Sequence, residues 1–585
     1  MSKDISSPII FETKYNRQAA SSLDQEITSQ VTDPDQQNFL INFPTVYIIN
    51  QNQRKTDPQY TVYVGETNDI QRRTLQHLDI DPRSRQDWKQ FADGNNARMY
   101  VIGHQHFNKS LTLDIENRMM HYLSGVSTVA HLNNRRENAQ NDYYPADEMV
   151  PIFNRIWRKL HHKLSQLFQS QRLIEESALF KASPFHKLTK AQLQAKNQIL
   201  TIVDQALRTN QQSQLVLVEG EAGAGKTVLM SNIFYDLATR DDNSLSVAMM
   251  VNHRQQEKVY EQIVAKLGLH DNAKVIKTTT FINQTSPTEP IDIAFVDEAH
   301  LLLTQRSQAY YGHGTNELLD IVKRARVVVA VYDEHQILHS SQIIEADDRA
   351  KIEQLIDYRV ELKNQMRIDA SPAMVAWLRN MIDNQRISKA PYDPKYDLRV
   401  FDDPAKMQAA IQQKARVDGE NGISRMLATF DWPYSSAKKQ DYRLWEVSEG
   451  DWHMPWNLQV NPNREDKRQI SGVKYSDLSW AEQPHTIKEI GSTYTIQGSD
   501  LNYAGVEIGP SVKYRRGKIV FDPDSSSNKK AIQNRKMHDD SKQNFAEQLL
   551  KNELNVLLTR GVHGLYLHAV DPALQKALKK AVKNK

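Results

Sequence analysis

The chain has no cysteine among its 585 residues. Disulfides and thiolate metal sites are therefore excluded, which suits a reducing cytoplasm, the expected location. Long apolar runs are missing as well. The longest, Val327-Val328-Val329-Ala330-Val331, is strand length and far short of the ~18–20 residues that span a bilayer, so no membrane partner is expected. The opening residues Met1 to Ser6 are polar and lack a signal-peptide core. Nor does one sign of charge dominate: 74 Lys and Arg against 71 Asp and Glu leave +3. That balance neither demands nor excludes nucleic acid, because a local basic groove can sit on a near-neutral protein. What remains is an ordinary globular composition, long enough for three or four domains of ~150 residues.

Against that background one stretch stands out. Gly220-Glu221-Ala222-Gly223-Ala224-Gly225-Lys226-Thr227 fits the phosphate-binding pattern G-x-x-x-x-G-K-[ST] in full. An apolar run, Leu215 to Val218, precedes it as a buried strand, and Val228 to Leu237 follows as a helix. The glycines let backbone N–H groups wrap a phosphate, and the helix N-terminus adds partial positive charge. Lys226 would meet the β/γ-phosphates, with Thr227 on Mg²⁺. The chain is expected to bind a nucleoside triphosphate, ATP.

The pattern around this loop predicts an α/β architecture. Residues 1–38 read as a flexible polar arm. Residues 39–150 read as a small α+β domain, with strands at Val46–Ile49, Tyr60–Val64 and Ala97–Ile102 and helices at Asn68–Leu78 and Thr112–Leu123. Residues 151–185 read as a basic helical linker, with Ile152, Ile156, Leu160, Leu164 and Leu167 at helical spacing. Strands then alternate with helices, which predicts two parallel-sheet P-loop lobes, 186–345 and 346–575. The first would use Leu215–Val218, Ser246–Val251, Ile293–Val296 and Val327–Val331. The second would use Arg399–Phe401, Met426–Thr429, Tyr503–Ile508 and Gly564–His568. An insertion, about 431–484, is rich in Trp, Pro and charge and has no legible role. Residues 576–585, with Lys576, Lys579, Lys580, Lys583 and Lys585, form a basic tail that reads as a solvated helix end rather than a nucleic-acid grip.

Further motifs follow the loop in order. Ile293 to Val296 runs into Asp297-Glu298-Ala299-His300, two acids at a strand's C-terminal end, where open α/β sheets place ligands. Asp297 would join the Mg²⁺ shell and Glu298 would serve as general base. This box resembles the second nucleotide motif of helicases. Val329 to Gln336 resembles the strand-Asp-x-x-Gln motif of superfamily 1, which would make Gln336 a γ-phosphate sensor. Leu362-Lys363-Asn364-Gln365-Met366-Arg367 resembles the motif that supplies one arginine. Thr493 to Asp500, containing Gln497 and Gly498, resembles the coupling motif of the second lobe. Asn555 to Gly561 resembles the final motif, with Arg560 as the second arginine. Leu188 to Gln192 resembles the adenine-reading element, with Gln192 its contact. Residues from about 186 to 572 are thus similar to the Schlafen-type superfamily 1 helicase-like ATPases. The resemblance implies ATP held between two RecA-like lobes, with Arg367 and Arg560 reaching it from the second.

The N-terminal domain carries a separate set. Thr45-Val46-Tyr47 and Tyr63-Val64-Gly65 resemble the paired signatures of GIY-YIG nucleases, with Arg73 eight residues after Gly65 and His77 one helical turn further on. Glu116 and Asn133 follow. The resemblance implies that Tyr47, Tyr63 and His77 position or deprotonate water, that Arg73 steadies the pentavalent phosphate, and that Glu116 binds Mg²⁺ or Mn²⁺. Thr45 departs from the family, which has glycine there; the change falls at the start of a strand, outside the catalytic groups. The expected function is an ATP-driven translocase or helicase joined to a metal-dependent nuclease. DNA is the first choice of substrate and RNA the second, in defence against foreign DNA or in repair. A nucleotide-gated nucleic-acid binding ATPase without cleavage, or an RNA-directed motor, stays open, as does the oligomeric state.

Overall fold

The computed structural model describes all residues except 1–5, 55–57, 84–87, 90, 92–95, 134–142, 210, 221, 241–244, 270–272, 306–313, 363–364, 366, 417–422, 436–443, 469–473 and 583–585. Glu221 of the phosphate loop, Lys363, Asn364 and Met366 of the arginine motif, Lys583 and Lys585 of the tail, and parts of the insertion lie outside the described residues.

Three sheets organise the molecule. The N-terminal sheet holds β1 (Ile9–Lys14), β2 (Thr45–Asn52), β3 (Tyr60–Thr67), β4 (Arg98–Gly103) and β5 (Val129–Leu132), in the order β1-β4-β2-β3-β5. The expected hairpin is present: β2 and β3 run antiparallel with Tyr47 opposite Gly65 and Ile49 opposite Tyr63. Helices Ile70–Asp79 and Lys109–Gly125 flank it. Asp69 and Asn108 cap them by accepting from Arg72 N and Leu111 N, which fixes where each helix starts.

The second sheet is entirely parallel. It contains β6 (Gln214–Gly220), β7 (Val247–Val251), β8 (Ala273–Ile276), β9 (Ile291–Asp297), β10 (Ala325–Tyr332) and β11 (Ile356–Leu362), in the order β11-β6-β10-β9-β7-β8. Its central strands are near-continuous apolar runs because helices cover both faces. The third sheet is also parallel and is built from β12 (Asp397–Val400), β13 (Arg425–Ala428), β16 (Ile490–Gly491), β17 (Leu501–Ile508) and β22 (Gly561–Ala569), in the order β12-β22-β17-β13-β16. Three small antiparallel hairpins decorate it: β14 (Glu446–Glu449) with β15 (Trp452–Pro455), β18 (Val512–Arg515) with β19 (Lys518–Phe521), and β20 (Arg535–Lys536) with β21 (Lys542–Gln543). The architecture is α/β, with two parallel-sheet lobes of the P-loop type.

Four expectations need correction. Residues 9–41 are not an arm: β1 pairs antiparallel with β4 along its whole length, and helices Leu23–Gln30 and Pro34–Ile41 bury Leu23, Ile27 and Leu40. The apolar residues are too sparse for the periodicity to register, yet each is fully enclosed. The 151–185 linker is not one helix. It runs Met149–Lys163, stops at Leu164, and resumes as Gln171–Glu176 and Ala178–Lys181. Ile152, Phe153, Ile156, Trp157 and Leu160 are buried, and a single apolar cluster runs from Val46 and Ile48 through this helix to Val216 and Val218. The first lobe does not end at 345, because β11 pairs parallel with β6 as its edge. The exposed edge carries Asp357, Arg359 and Glu361, and that alternation hid the strand. Finally, the tail begins inside helix Pro572–Ala581, whose Leu574 and Leu578 pack in the second lobe's core. Its lysines do lie at a solvated helix end, where Lys579 pairs with Asp402 at 2.5 Å.

Within the 431–484 insertion, Trp456 and Trp480 are completely buried, so the described parts of this segment are integral to the lobe. Deleting residues 1–38 should therefore destabilise the N-terminal sheet, and Ile27→Ala alone should cost about 2–5 kcal/mol. Hydrogen exchange at β1 and β4 and the first urea midpoint would report the loss; a dispensable arm would leave both unchanged.

Candidate functional site

The phosphate loop closes β6 and opens helix Lys226–Ala238, at the C-terminal end of the parallel sheet. Gly223 and Gly225 take φ of +87° and +78°, conformations that side chains rarely adopt. A Cβ on Gly223 would also stand 2.4 Å from Arg367 Cβ. On Gly220 it would fall 2.6 Å from Leu362 O, so the loop is locked against the segment leaving β11. Lys226 is buried and donates to Gly220 O at 2.5 Å and to Asp333 Oδ2 at 3.4 Å. Gln192 accepts from Thr189 N at 2.9 Å and donates to Gly225 O at 3.1 Å, so the adenine-reading candidate lies against the loop.

Asp297 ends β9, which is separated from the phosphate-loop strand β6 by β10. Its Oδ2 accepts from Tyr260 Oη at 2.9 Å and from Gln256 Nε2 at 3.2 Å. Burial, and then the adjacent Glu298, push its carboxyl up to about 7. Glu298 sits in the left-handed region, with φ of 53°. Its Oε2 lies 3.4 Å from the buried His300 Nε2 and has no hydrogen-bond partner.

From the second lobe, Arg560 Nη2 donates to Gln336 Oε1 at 3.0 Å, and Gln336 Nε2 donates to Asp333 Oδ2 at 2.7 Å. Burial, and then the nearby Arg367, lower the Arg560 guanidinium to about 10. Burial would raise Asp333, but Lys226 and His300 outweigh it and hold it below its ordinary value. Arg367 lies at the crossover between lobes, its Nε 2.6 Å from Asp500 Oδ1. Gln497 and Gly498 line the same cleft, and Gly498 has φ of +79° close to Gln256.

These groups enclose a cavity of about 440 Å³, bounded by the phosphate loop, Thr227, Gln192, Glu298, Gln336, Arg367, Gln497 and Asp500, a size suited to a nucleotide-scale ligand. The donor set fits a phosphorylated ligand with a hard divalent cation. Arg367 Nη1 and Gln497 Nε2 are buried donors without partners, Glu298 Oε2 is a buried acceptor without one, and Thr227 with Asp297 offers oxygen ligands. Sequence reasoning missed Gln256, Tyr260 and Asp500. Asp500 was inside a quoted motif, whereas Gln256 and Tyr260 lie on helix Arg254–Leu267 and carry no motif of their own. It also missed Glu176, Ala178 and Lys181, which bring the broken linker to the cavity wall.

The N-terminal candidates come together at a second point. Tyr47 Oη lies 2.7 Å from His77 Nε2, and His77 Nδ1 lies 2.6 Å from Asp81 Oδ2. Trp88 stacks on His77 with ring centroids 3.7 Å apart and also touches Tyr63 at 4.5 Å. Burial and then Tyr63 push the Tyr47 phenol up while Arg73 opposes them, and the Arg73 guanidinium engages both tyrosines. Burial and then the negative charge of Glu116 push the Tyr63 phenol up. Asn133 is tied by its backbone, donating from N to Val62 O at 2.8 Å, at the end of β5. Asp81 and Trp88 were not anticipated; Asp81 sits one turn past His77, while Trp88 gives no local signal. Thr45 is buried and pairs with Thr67, so the departure from glycine is absorbed in the ladder.

The Schlafen group 3 DNA/RNA helicase domain family matches residues 213–571, and the chain belongs to that family. Among individual proteins, it is 30% identical over 405 residues to the uncharacterized protein YPL245W of Saccharomyces cerevisiae, covering 62% of this chain and 83% of that one. Among solved structures, the Pif1 helicase from Candida albicans is 15% identical with a TM-score of 0.23; the match covers 40% of this chain and 55% of that chain. The Sulfolobus solfataricus SWI2/SNF2 ATPase core, solved with dsDNA, is 10% identical with a TM-score of 0.24, over 66% and 88%. S. cerevisiae Dbp5 is 12% identical with a TM-score of 0.29, over 68% and 92%.

A substitution at Gly65 tests the packing of the N-terminal group. An added Cβ would stand 2.5 Å from Tyr47 Oη and 2.8 Å from Tyr63 Cε1. Gly65→Ala should therefore cost about 1–3 kcal/mol, read as faster hydrogen exchange in β2 and β3 with the nucleotide lobes unchanged.

Proposed function

We propose that the chain is an ATP-driven motor on nucleic acid, DNA before RNA, whose N-terminal sheet carries a metal-dependent phosphodiester-cleaving site. One observation supports the motor reading above others. The buried line Lys226–Asp333–Gln336–Arg560 runs from the phosphate loop of one lobe to the second lobe, so that the two lobes share one site. Lys226 and the loop N–H groups would hold the triphosphate, with Gln192 against its base and Thr227 and Asp297 holding Mg²⁺. Glu298, beside His300, is the acceptor for the proton of an attacking water. Arg367 and Arg560 would bear the charge that develops on the transferring group, and Gln336 would report it across the cleft. Bound Mg²⁺–ATP supplies the phosphoryl group; the chain supplies position, charge and a base.

At the N-terminal sheet, Asp81 is placed to accept from His77 Nδ1, which leaves Nε2 to accept from the Tyr47 hydroxyl. That line, with the Arg73 guanidinium at both tyrosines and the charge of Glu116 acting on Tyr63, offers a proton relay, a cation and a hard oxygen ligand. Phosphodiester hydrolysis needs those three elements. Glu116 would hold one Mg²⁺ or Mn²⁺.

Arg560→Ala should lower the ATPase kcat by roughly 10³-fold or more with a much smaller change in nucleotide affinity, and Lys226→Ala should abolish turnover. For cleavage, the full chain is incubated with labelled DNA and RNA in Mg²⁺ or Mn²⁺. Arg73→Ala and Glu116→Gln should lose cutting at least 100-fold, in the range of acid–base and electrostatic contributions, while keeping ATPase. If wild type cuts neither DNA nor RNA, with or without ATP, the cleavage reading fails and the motor reading stands alone.

A further inference from the structure

The second lobe holds a cluster that neither reading uses. Glu507 on β17 and His568 on β22 are paired in register on neighbouring parallel strands, and Glu449 comes from the end of β14 to face them. His568 Nδ1 lies 2.9 and 3.0 Å from the two Glu507 oxygens and 3.2 Å from Glu449 Oε2. One ligand atom from each residue lies within 4.8 Å of the others. Glu507 and His568 are buried, and the Glu449 Oε2 atom is shut off from solvent and makes no aligned hydrogen bond.

The cluster is served by no cationic side chain among the described residues. Among the described residues no lysine or arginine pairs with Glu449 or Glu507, whose ion pairs are both with His568. Two carboxylates and an imidazole thus converge on one largely enclosed point, and the buried Glu449 Oε2 is left without a hydrogen-bond partner there.

We propose that Glu449, Glu507 and His568 form a divalent transition-metal site, of the Zn²⁺ class, that fastens the β14–β15 hairpin to the β17–β22 core. Two carboxylate oxygens and one imidazole nitrogen suit such an ion at ligand distances of about 2.0–2.2 Å, and two carboxylates neutralise its charge. The site is separate from the nucleotide cleft. Asp500 lines the cleft just before β17, and Glu507 lies near the other end of that strand, a span of roughly 20 Å at strand rise. The metal would thus hold the insertion in place and take no part in the ATP site.

The test uses the full chain, stripped with chelator and titrated with Co²⁺ in the presence of saturating Mg²⁺, then with Zn²⁺ in competition. One equivalent of Co²⁺ should give a visible d–d absorption band that Zn²⁺ abolishes, and Zn²⁺ should raise the thermal midpoint. Glu507→Gln, His568→Gln and the more exposed Glu449→Gln should each weaken Co²⁺ binding at least tenfold, while fluorescent-ATP binding stays intact. Glu116→Gln should leave the band in place. No stoichiometric band, a band that survives all three substitutions, or one lost with Glu116→Gln would overturn the assignment. Fluorescent-ATP binding by Glu449→Gln separates loss of metal from loss of fold.

Discussion

Everything around the nucleotide cleft depends on burying Arg560 against the first lobe. A guanidinium taken out of water costs several kcal/mol unless it is bonded and its charge is met. Here it donates to Gln336, Ser499 O and Val556 O, and Asp500, Glu298 and Asp333 supply opposing charge. Ser499, Val556 and Asp500 belong to its own lobe, whereas Gln336, Glu298 and Asp333 belong to the first, so the cost is fully offset when the lobes are apposed. Arg535 repeats the device: it is buried and donates to Thr304, Ser340 O and Glu345 Oε1 of the first lobe. Asn552 and Asn555 add backbone contacts to Ile337 O and His335 O. The lobes are thus joined by shared polar bonds as well as by apolar contacts such as Ala531 and Leu549 on the first lobe's cluster, and a change of charge in the cleft acts on the polar part.

The N-terminal sheet is attached in the opposite way, through continuous apolar packing. One element reaches from there to the nucleotide cleft. Helix Arg254–Leu267 presents Gln256 and Tyr260 to Asp297 near its start. At its end, Lys266 Nζ donates to Ser124 O at 3.0 Å and Val126 O at 2.6 Å, just before β5. Burial lowers that lysine to about 7. A single helix therefore touches both the Asp297 carboxylate and the backbone under the N-terminal sheet.

Much of this was legible because parallel strands and the phosphate loop write continuous signals. The Leu215–Val218 and Val327–Val331 runs and the glycine spacing can hardly be read otherwise, and the four strands expected in each lobe are present. What escaped had physical reasons. β11 is an edge strand with charged residues on its open face, so its pattern looks like a surface segment. The first 38 residues contribute only isolated buried side chains to a sheet closed by β4, about 90 residues later. Asp81 meets His77 one helical turn on, at a spacing common to many solvated pairs, while Trp88 meets His77 and Tyr260 meets Asp297 through tertiary contacts that no local spacing announces. The Glu507–His568 pair depends on which strands are neighbours in the sheet.

On the proposed function, nucleic acid bound to the two-lobed chain drives ATP turnover. The direct measurement is the steady-state ATPase rate of the full chain across single- and double-stranded DNA and RNA at fixed salt. The account predicts at least tenfold stimulation by one class of nucleic acid, DNA first, falling steeply as salt rises because phosphate contacts dominate binding. A rate indifferent to every nucleic acid at low salt would contradict it.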